Sequence, residues 1–253
     1  MIFIKSPEEI EKIRHACRII AQVFADIEKY IRPGITTAEL DQVGEALIID
    51  HGGRPAFKGY RGYAHATCIS VNSEVVHGIP SPKKTLAEGD VVGLDMGAIW
   101  EGYYSDMART FPVGKVSKQA KALMKCGQEA LEIAISKVKA GARLGDVSFS
   151  IENHAKKHGY SVVKDLFGHG IGRNMHEDPL IPNFGVRGEG LELRPGMTLA
   201  IEPMLNAGGS SVITLSDGWT VVTKDRSLSV HYEDSVLVTE NGAEVLTRCQ
   251  KKM

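Results

Sequence analysis

Five residues in this chain are polar where the surrounding sequence is apolar, and together they have the chemistry of a metal centre. Asp95 lies in the strand-like run VVGLDMGA and Asp106 in YYSDMARTF. A hairpin turning at Trp100-Glu101 places the two aspartates directly opposite each other, with Cβ atoms about 5 Å apart. Val92, Leu94, Met96 and Met107 make the setting apolar, so two carboxylates there require a shared proton or a cation between them. Glu202 in MTLAIEPM and Glu233 in SLSVHYEDSVLVT raise the same problem on two further strands, since an unpaired buried charge is costly. Singly, each fits an acid at a sheet end or one paired with an arginine. As a set of four they point to a cation. His169, in a loop between Gly168 and Gly170, adds a nitrogen donor whose small neighbours permit close approach.

Two aspartates, two glutamates and a histidine form a hard, oxygen-rich donor set. It suits manganese, iron, cobalt or zinc, and the donor count favours two ions about 3.5 Å apart over one.

The elements that must hold these residues are legible from caps and periodicity. Ser6, Pro7 and Glu9 form a helix start, and Ile10, Ile13, Cys17, Ile20, Phe24 and Ile27 follow on one face. Thr36 with Glu39 repeats the capping signature for a second helix, which Gly52 and Gly53 end. Residues 54–66 read as an ordered loop, and strands follow at 67–77, 91–98 and 103–111. Helices are expected over about 117–139 and 146–158, then strands at 161–166, 197–203, 211–215, 219–223 and 229–239. Two helices precede strands twice over, which predicts an α+β fold of two similar halves, about 1–115 and 116–253. These halves share one antiparallel sheet with the helices on its outer face. No Pro/Gly/Ser-rich linker divides the chain, so a single domain over 1–253 is expected.

Composition narrows the partners. Thirty basic residues against 31 acidic ones leave a net charge of −1. Without a basic excess or stripe, DNA is not an expected partner. Lys156-Lys157 and Lys251-Lys252 are short clusters that read as solvated surface. No run reaches the roughly 20 apolar residues of a spanning helix, and MIFIKSPEEIEKIR has no secretory pattern. Cys17, Cys68, Cys126 and Cys249 form no CxxC pair, which fits a reducing, cytoplasmic setting. His154 and His158 have i, i+4 spacing, yet the motif ENHAKKHG lacks the acid of HExxH and carries lysines. It reads as a solvated helix face. His231 lies on the same strand face as Glu233, which allows it a place behind the ligands.

The ordered motifs VNSEVVHGIP, LDMG, YSDMARTF, GHGIGRNMHEDP, IEPM and HYEDSVLVT resemble those of the type I, bacterial-type methionine aminopeptidases of the pita-bread fold. The likeness covers essentially the whole chain. It implies Asp95, Asp106, His169, Glu202 and Glu233 as ligands of two divalent ions, with Asp106 and Glu233 shared between them. It also implies attack by a metal-bridged hydroxide on the first peptide carbonyl, with Glu202 shuttling the proton and His77 and His176 as catalytic histidines that are not ligands. A methionine pocket is implied from Phe57, Tyr60, Tyr63, Cys68, Met175 and Trp219. Phe57 stands where the family often has cysteine, Met175 where it often has phenylalanine, and Val76 where cysteine is common, which puts the pocket's shape in question. The family further implies a monovalent cation, sodium or potassium, near Asn72 and Ser229. Its substrates are peptide N-termini that begin with methionine and have a small second residue, met by a monomer in transient association with the ribosome. Two rivals remain: a proline-directed aminopeptidase or prolidase of the same fold, and a non-enzymatic pita-bread module that binds peptides.

Overall fold

The capping signals sit where the helices begin. In this computed structural model, which describes residues 2–248, α1 (Pro7–Ile27) starts at Ser6. The Ser6 hydroxyl accepts from the Glu9 amide and the Glu9 carboxylate accepts from the Ser6 amide. Thr36 and Glu39 do the same for α2 (Thr37–Asp50). Such a cap contributes about 1 kcal/mol. The second pair is α3 (Lys118–Ile135) and α4 (Leu144–Lys157). Cys249, Lys251 and Lys252 lie outside the described residues.

The main sheet is antiparallel throughout and takes strands from both halves of the chain. Its order is Glu177–Pro182, Phe167–Gly170, Thr198–Ile201, Glu233–Val238, Met107–Pro112, Val91–Met96 and Thr67–Val71, and Ala243–Val245 also pairs with Glu233–Val238. Strand alternation sorts its residues. Val92, Leu94 and Met96 pack under α1 and α2 with Ile20, Phe24, Leu40 and Ile48. Leu199, Ile201, Val236 and Val238 pack under α3 and α4 with Leu123, Leu131, Val147 and Ile151. Asp95, Glu202 and Glu233 have the opposite parity and face away from the helices.

The hairpin between the two aspartates differs from the expected one. Its turn is Glu101-Gly102, with φ 47° and 80°, not Trp100-Glu101. A two-residue turn with both φ positive matches the strand twist, and glycine takes such a conformation at no steric cost. Trp100 therefore pairs with Tyr103, and Asp95 lies opposite Ala108 instead of Asp106. Asp106 itself falls in a break before Met107–Pro112. A shift of two residues preserves parity, so both aspartates still face the same side.

His169 is not in a loop. It occupies the strand Phe167–Gly170, between partners on both sides. A Cβ at Gly168 would lie 2.4 Å from the Ala200 carbonyl oxygen, and one at Gly170 would lie 2.2 Å from that of Asp178. The glycines thus admit neighbouring backbone. The expected strand over 229–239 is two strands, Ser229–His231 and Glu233–Val238, broken at Tyr232.

Candidate metal centre

The non-helical face of the sheet opens into a cavity, and all the sequence-singled ligand candidates line it: Asp95, Asp106, His169, Glu202 and Glu233. One donor atom each from Asp106, His169 and Glu233 lie within 4.8 Å of one another. His169 Nε2 is 3.8 Å from Asp106 Oδ2 and 3.8 Å from Glu202 Oε1. Its Nδ1 is 2.9 Å from the Gly170 carbonyl oxygen. That bond places the ring proton on Nδ1 and turns the Nε2 lone pair toward the carboxylates, the orientation a metal ligand takes.

Four carboxylates in one buried space must be neutralised. Burial pushes Asp95 up to about 7, and Glu202 up to about 8. Asp106 and Glu233 are raised well above the usual carboxylate range by burial and by the other acids. Asp95 Oδ1 and Glu233 Oε1 are sealed from solvent with no hydrogen-bond partner. Unpartnered anionic oxygens beside a free imidazole lone pair fit divalent cations of the mixed N/O-binding kind.

The metal-free protein should therefore lose stability as pH rises from about 6.5 to 8. Asp95 and Glu202 titrate near 7 and 8 when folded and near 4 when unfolded. Over that window the folded state holds more protons, and raising the pH favours unfolding. Below about 6.5 the histidines act in the opposite sense. Burial holds His77 and His169 down at about 4, and His176 at about 3, so only their unfolded forms take up protons there. About 1 kcal/mol from each of the two acids corresponds to a fall of roughly 4–8 °C in Tm across the window. Calorimetry should show it in metal-free protein and show less of it after metal is restored. A metal-free Tm that climbs from pH 6.5 to 8 would contradict the reading.

The apolar part of the cavity contains every residue expected to form the side-chain pocket: Phe57, Tyr60, Tyr63, Cys68, Met175 and Trp219. Tyr63 and Trp219 meet edge to face at 4.9 Å. Val76 is not among the lining residues; it packs with Val163, Met204 and Val221. His77 and His176 face the same space. His77 has φ 56°, an uncommon backbone state for a non-glycine residue and one associated with functional sites. His176 Nδ1 is 2.8 Å from the Tyr60 hydroxyl, and its ring lies 4.3 Å from that of His169.

Two contributors were underweighted or missed in the sequence. His231 is buried with its Nε2 3.3 Å from Glu202 Oε2 and 4.0 Å from Glu233 Oε2. Strand parity could place it near Glu233, but Glu202 is its closer neighbour and comes from another strand. Arg61 lines the cavity and its charge helps hold His176 neutral; in the sequence it is one basic residue in a glycine- and tyrosine-rich loop. Asn72 and Ser229 do come together, with the Ser229 amide donating to the Asn72 carbonyl at 2.9 Å.

The model of metallopeptidase family M24 matches residues 11–240. The methionine aminopeptidase of Clostridium acetobutylicum is 47% identical over 250 residues, which is 99% of this chain and 100% of the relative. The crystal structure of methionine aminopeptidase from Thermotoga maritima superposes with a TM-score of 0.97 at 47% identity, covering 98% of this chain and 100% of that one. Prolidase from Pyrococcus furiosus gives a TM-score of 0.80 at 29% identity, and the match spans 98% of this chain but 66% of the prolidase.

Proposed function

The chain belongs to metallopeptidase family M24, among the methionine aminopeptidases, and on that premise we propose how its own residues remove an N-terminal methionine. The substrates are peptides and nascent proteins whose second residue is small. The observation that carries this reading is the joining, in one cavity, of a five-residue metal-ligand set to an apolar slot lined by aromatic rings and sulfur. A methionine thioether is well matched by such surfaces.

Asp95, Asp106, His169, Glu202 and Glu233 would hold two divalent ions of the manganese, iron, cobalt or zinc kind. When bound, such ions acidify water and polarise the peptide carbonyl. The chain's own groups supply the rest. Glu202 would take the proton from water and pass it to the leaving amine. His231 contacts its second oxygen at 3.3 Å and so limits how the carboxylate can rotate. In this reading His176 Nδ1 accepts from the Tyr60 hydroxyl at 2.8 Å and the ring proton sits on Nε2. That N–H donates to the carbonyl oxygen as it gains negative charge. His77, held neutral by burial, contacts the scissile nitrogen. A monovalent cation beside the Asn72 carbonyl and Ser229 is part of the same reading. So are a cytoplasmic monomer and transient contact with the ribosome; among the described residues no helix is long and apolar enough to cross a membrane.

The proline-directed alternative shares the fold. The fully matched length of the methionine aminopeptidases and the thioether-sized slot favour methionine. The test is peptidase turnover on Met-Ala-Ser, Met-Ile-Ser, Leu-Ala-Ser and Ala-Pro-Ser, using metal-stripped protein resupplied with each ion. Metal-dependent release of methionine from Met-Ala-Ser alone is the expected result. Preference for Ala-Pro-Ser would move the assignment to the proline branch, and absence of turnover with every ion would favour a binding module.

A further inference from the structure

The helix pair α3–α4 carries a second cluster of metal-binding side chains, none of which lines the catalytic cavity. Cys126 on α3 is a free thiol, buried within the pair. His154 on α4 faces it with a side chain only 13% exposed, and its Nε2 is sealed from solvent with no well-aligned hydrogen bond. His158 follows one turn later, its ring 4.4 Å from that of His154. The reading of this helix face as simply solvated therefore fails at His154, although His158 is exposed. Lys156 and Lys157 are exposed as expected, Lys156 pairing with Glu152 at 2.9 Å on the surface.

Three features of this cluster go beyond proximity. One donor atom from each of Cys126, His154 and His158 lies within 4.8 Å of the others. His158 Nδ1 is 2.9 Å from the His154 carbonyl oxygen, which places its proton there and leaves the Nε2 lone pair free, as in metal-ligating histidines. Glu129, at i+3 from Cys126, brings Oε2 to 3.4 Å from His154 Nε2 while its Oε1 faces Lys125. Glu129 thus stands beside His154 as the candidate fourth donor.

We propose that Cys126, His154, His158 and Glu129 form a structural zinc site that clips α3 to α4. The i, i+3 and i, i+4 spacings each place two side chains on one face of their helix, and four protein donors of S, N, N and O type suit a closed tetrahedral zinc site. A thiolate and imidazoles select zinc over the oxygen-seeking magnesium and calcium. One thiolate and one carboxylate offset the charge of the ion, so the complex itself is neutral within the half-buried helix interface. Burial lowers the affinity of His154 for protons and keeps its lone pair available, while burial raises the Cys126 thiol to about 11. Zinc binding must therefore displace the thiol proton.

Cobalt substitution distinguishes this site from the catalytic one, whose ligands include no sulfur. Full-length protein exchanged into Co²⁺ is expected to show a near-ultraviolet sulfur-to-cobalt charge-transfer band. The band should vanish in Cys126→Ser and persist in Cys68→Ser and Asp106→Ala. In zinc-loaded protein, Cys126→Ser and His158→Ala should each lose one tightly bound equivalent by elemental analysis while peptidase turnover is unchanged. Absence of the band at full cobalt loading would overturn the proposal. So would a band that survives Cys126→Ser, or zinc content that is the same in both variants as in the parent.

Discussion

Asp106→Ala should lose divalent metal and peptidase activity together. Asp106 lies between the other candidates: its Oδ2 is 3.8 Å from His169 Nε2 and its carboxyl adjoins that of Asp95. In the proposed arrangement it is one of the five donors, so alanine would weaken the hold on the ions. Without them the attacking water reverts toward its ordinary pKa, and turnover should fall by on the order of 10³-fold or more. Stability supplies an independent readout. The acids raise one another above their usual range, so deleting one relieves repulsion in the metal-free state. Metal-free Asp106→Ala should be at least as stable as the metal-free parent, yet gain far less on adding metal. Calorimetric titration and activity on Met-Ala-Ser would be read side by side. Retention of two ions at parental affinity would remove Asp106 from the ligand set.

His176→Ala should behave differently, keeping its metal and losing turnover by about 10²–10³-fold, the usual worth of one oxyanion donor. The structure gives His176 to Tyr60 at Nδ1, leaving Nε2 as the single nitrogen available to substrate. Burial together with His169, Arg61 and His77 holds the ring neutral, at about 3, so it acts as a neutral donor across the working pH range. Because that bond strengthens as charge develops on oxygen, the loss should fall on kcat with little change in KM. Metal loss in this variant would instead make His176 a ligand.

These expectations rest on features of unequal visibility in the sequence. The four acids stood out because each interrupts an apolar strand, and the cost of burying a charge depends on residue type rather than on fold. Both capping boxes and the parity of Asp95, Glu202 and Glu233 were readable for a similar reason. Caps and strand alternation are set by neighbours within a few residues. The pocket residues Phe57, Tyr60, Tyr63, Cys68, Met175 and Trp219 came from resemblance, since no local rule marks an aromatic residue as lining a slot.

What the tertiary structure alone decided are the relations between segments far apart in the chain. The Glu101-Gly102 turn moved Asp95 from opposite Asp106 to opposite Ala108, because turn geometry sets hairpin register and the aspartates do not. Phe167–Gly170 became a strand where its glycines admit the backbones of Ala200 and Asp178. His231 met Glu202 across strands, and His154 met Cys126 and Glu129 across helices. Local sequence determined which residues were chemically capable and which face each would take. Packing decided which of them meet, because a contact between distant segments is selected by the energy of the whole core and by no short pattern.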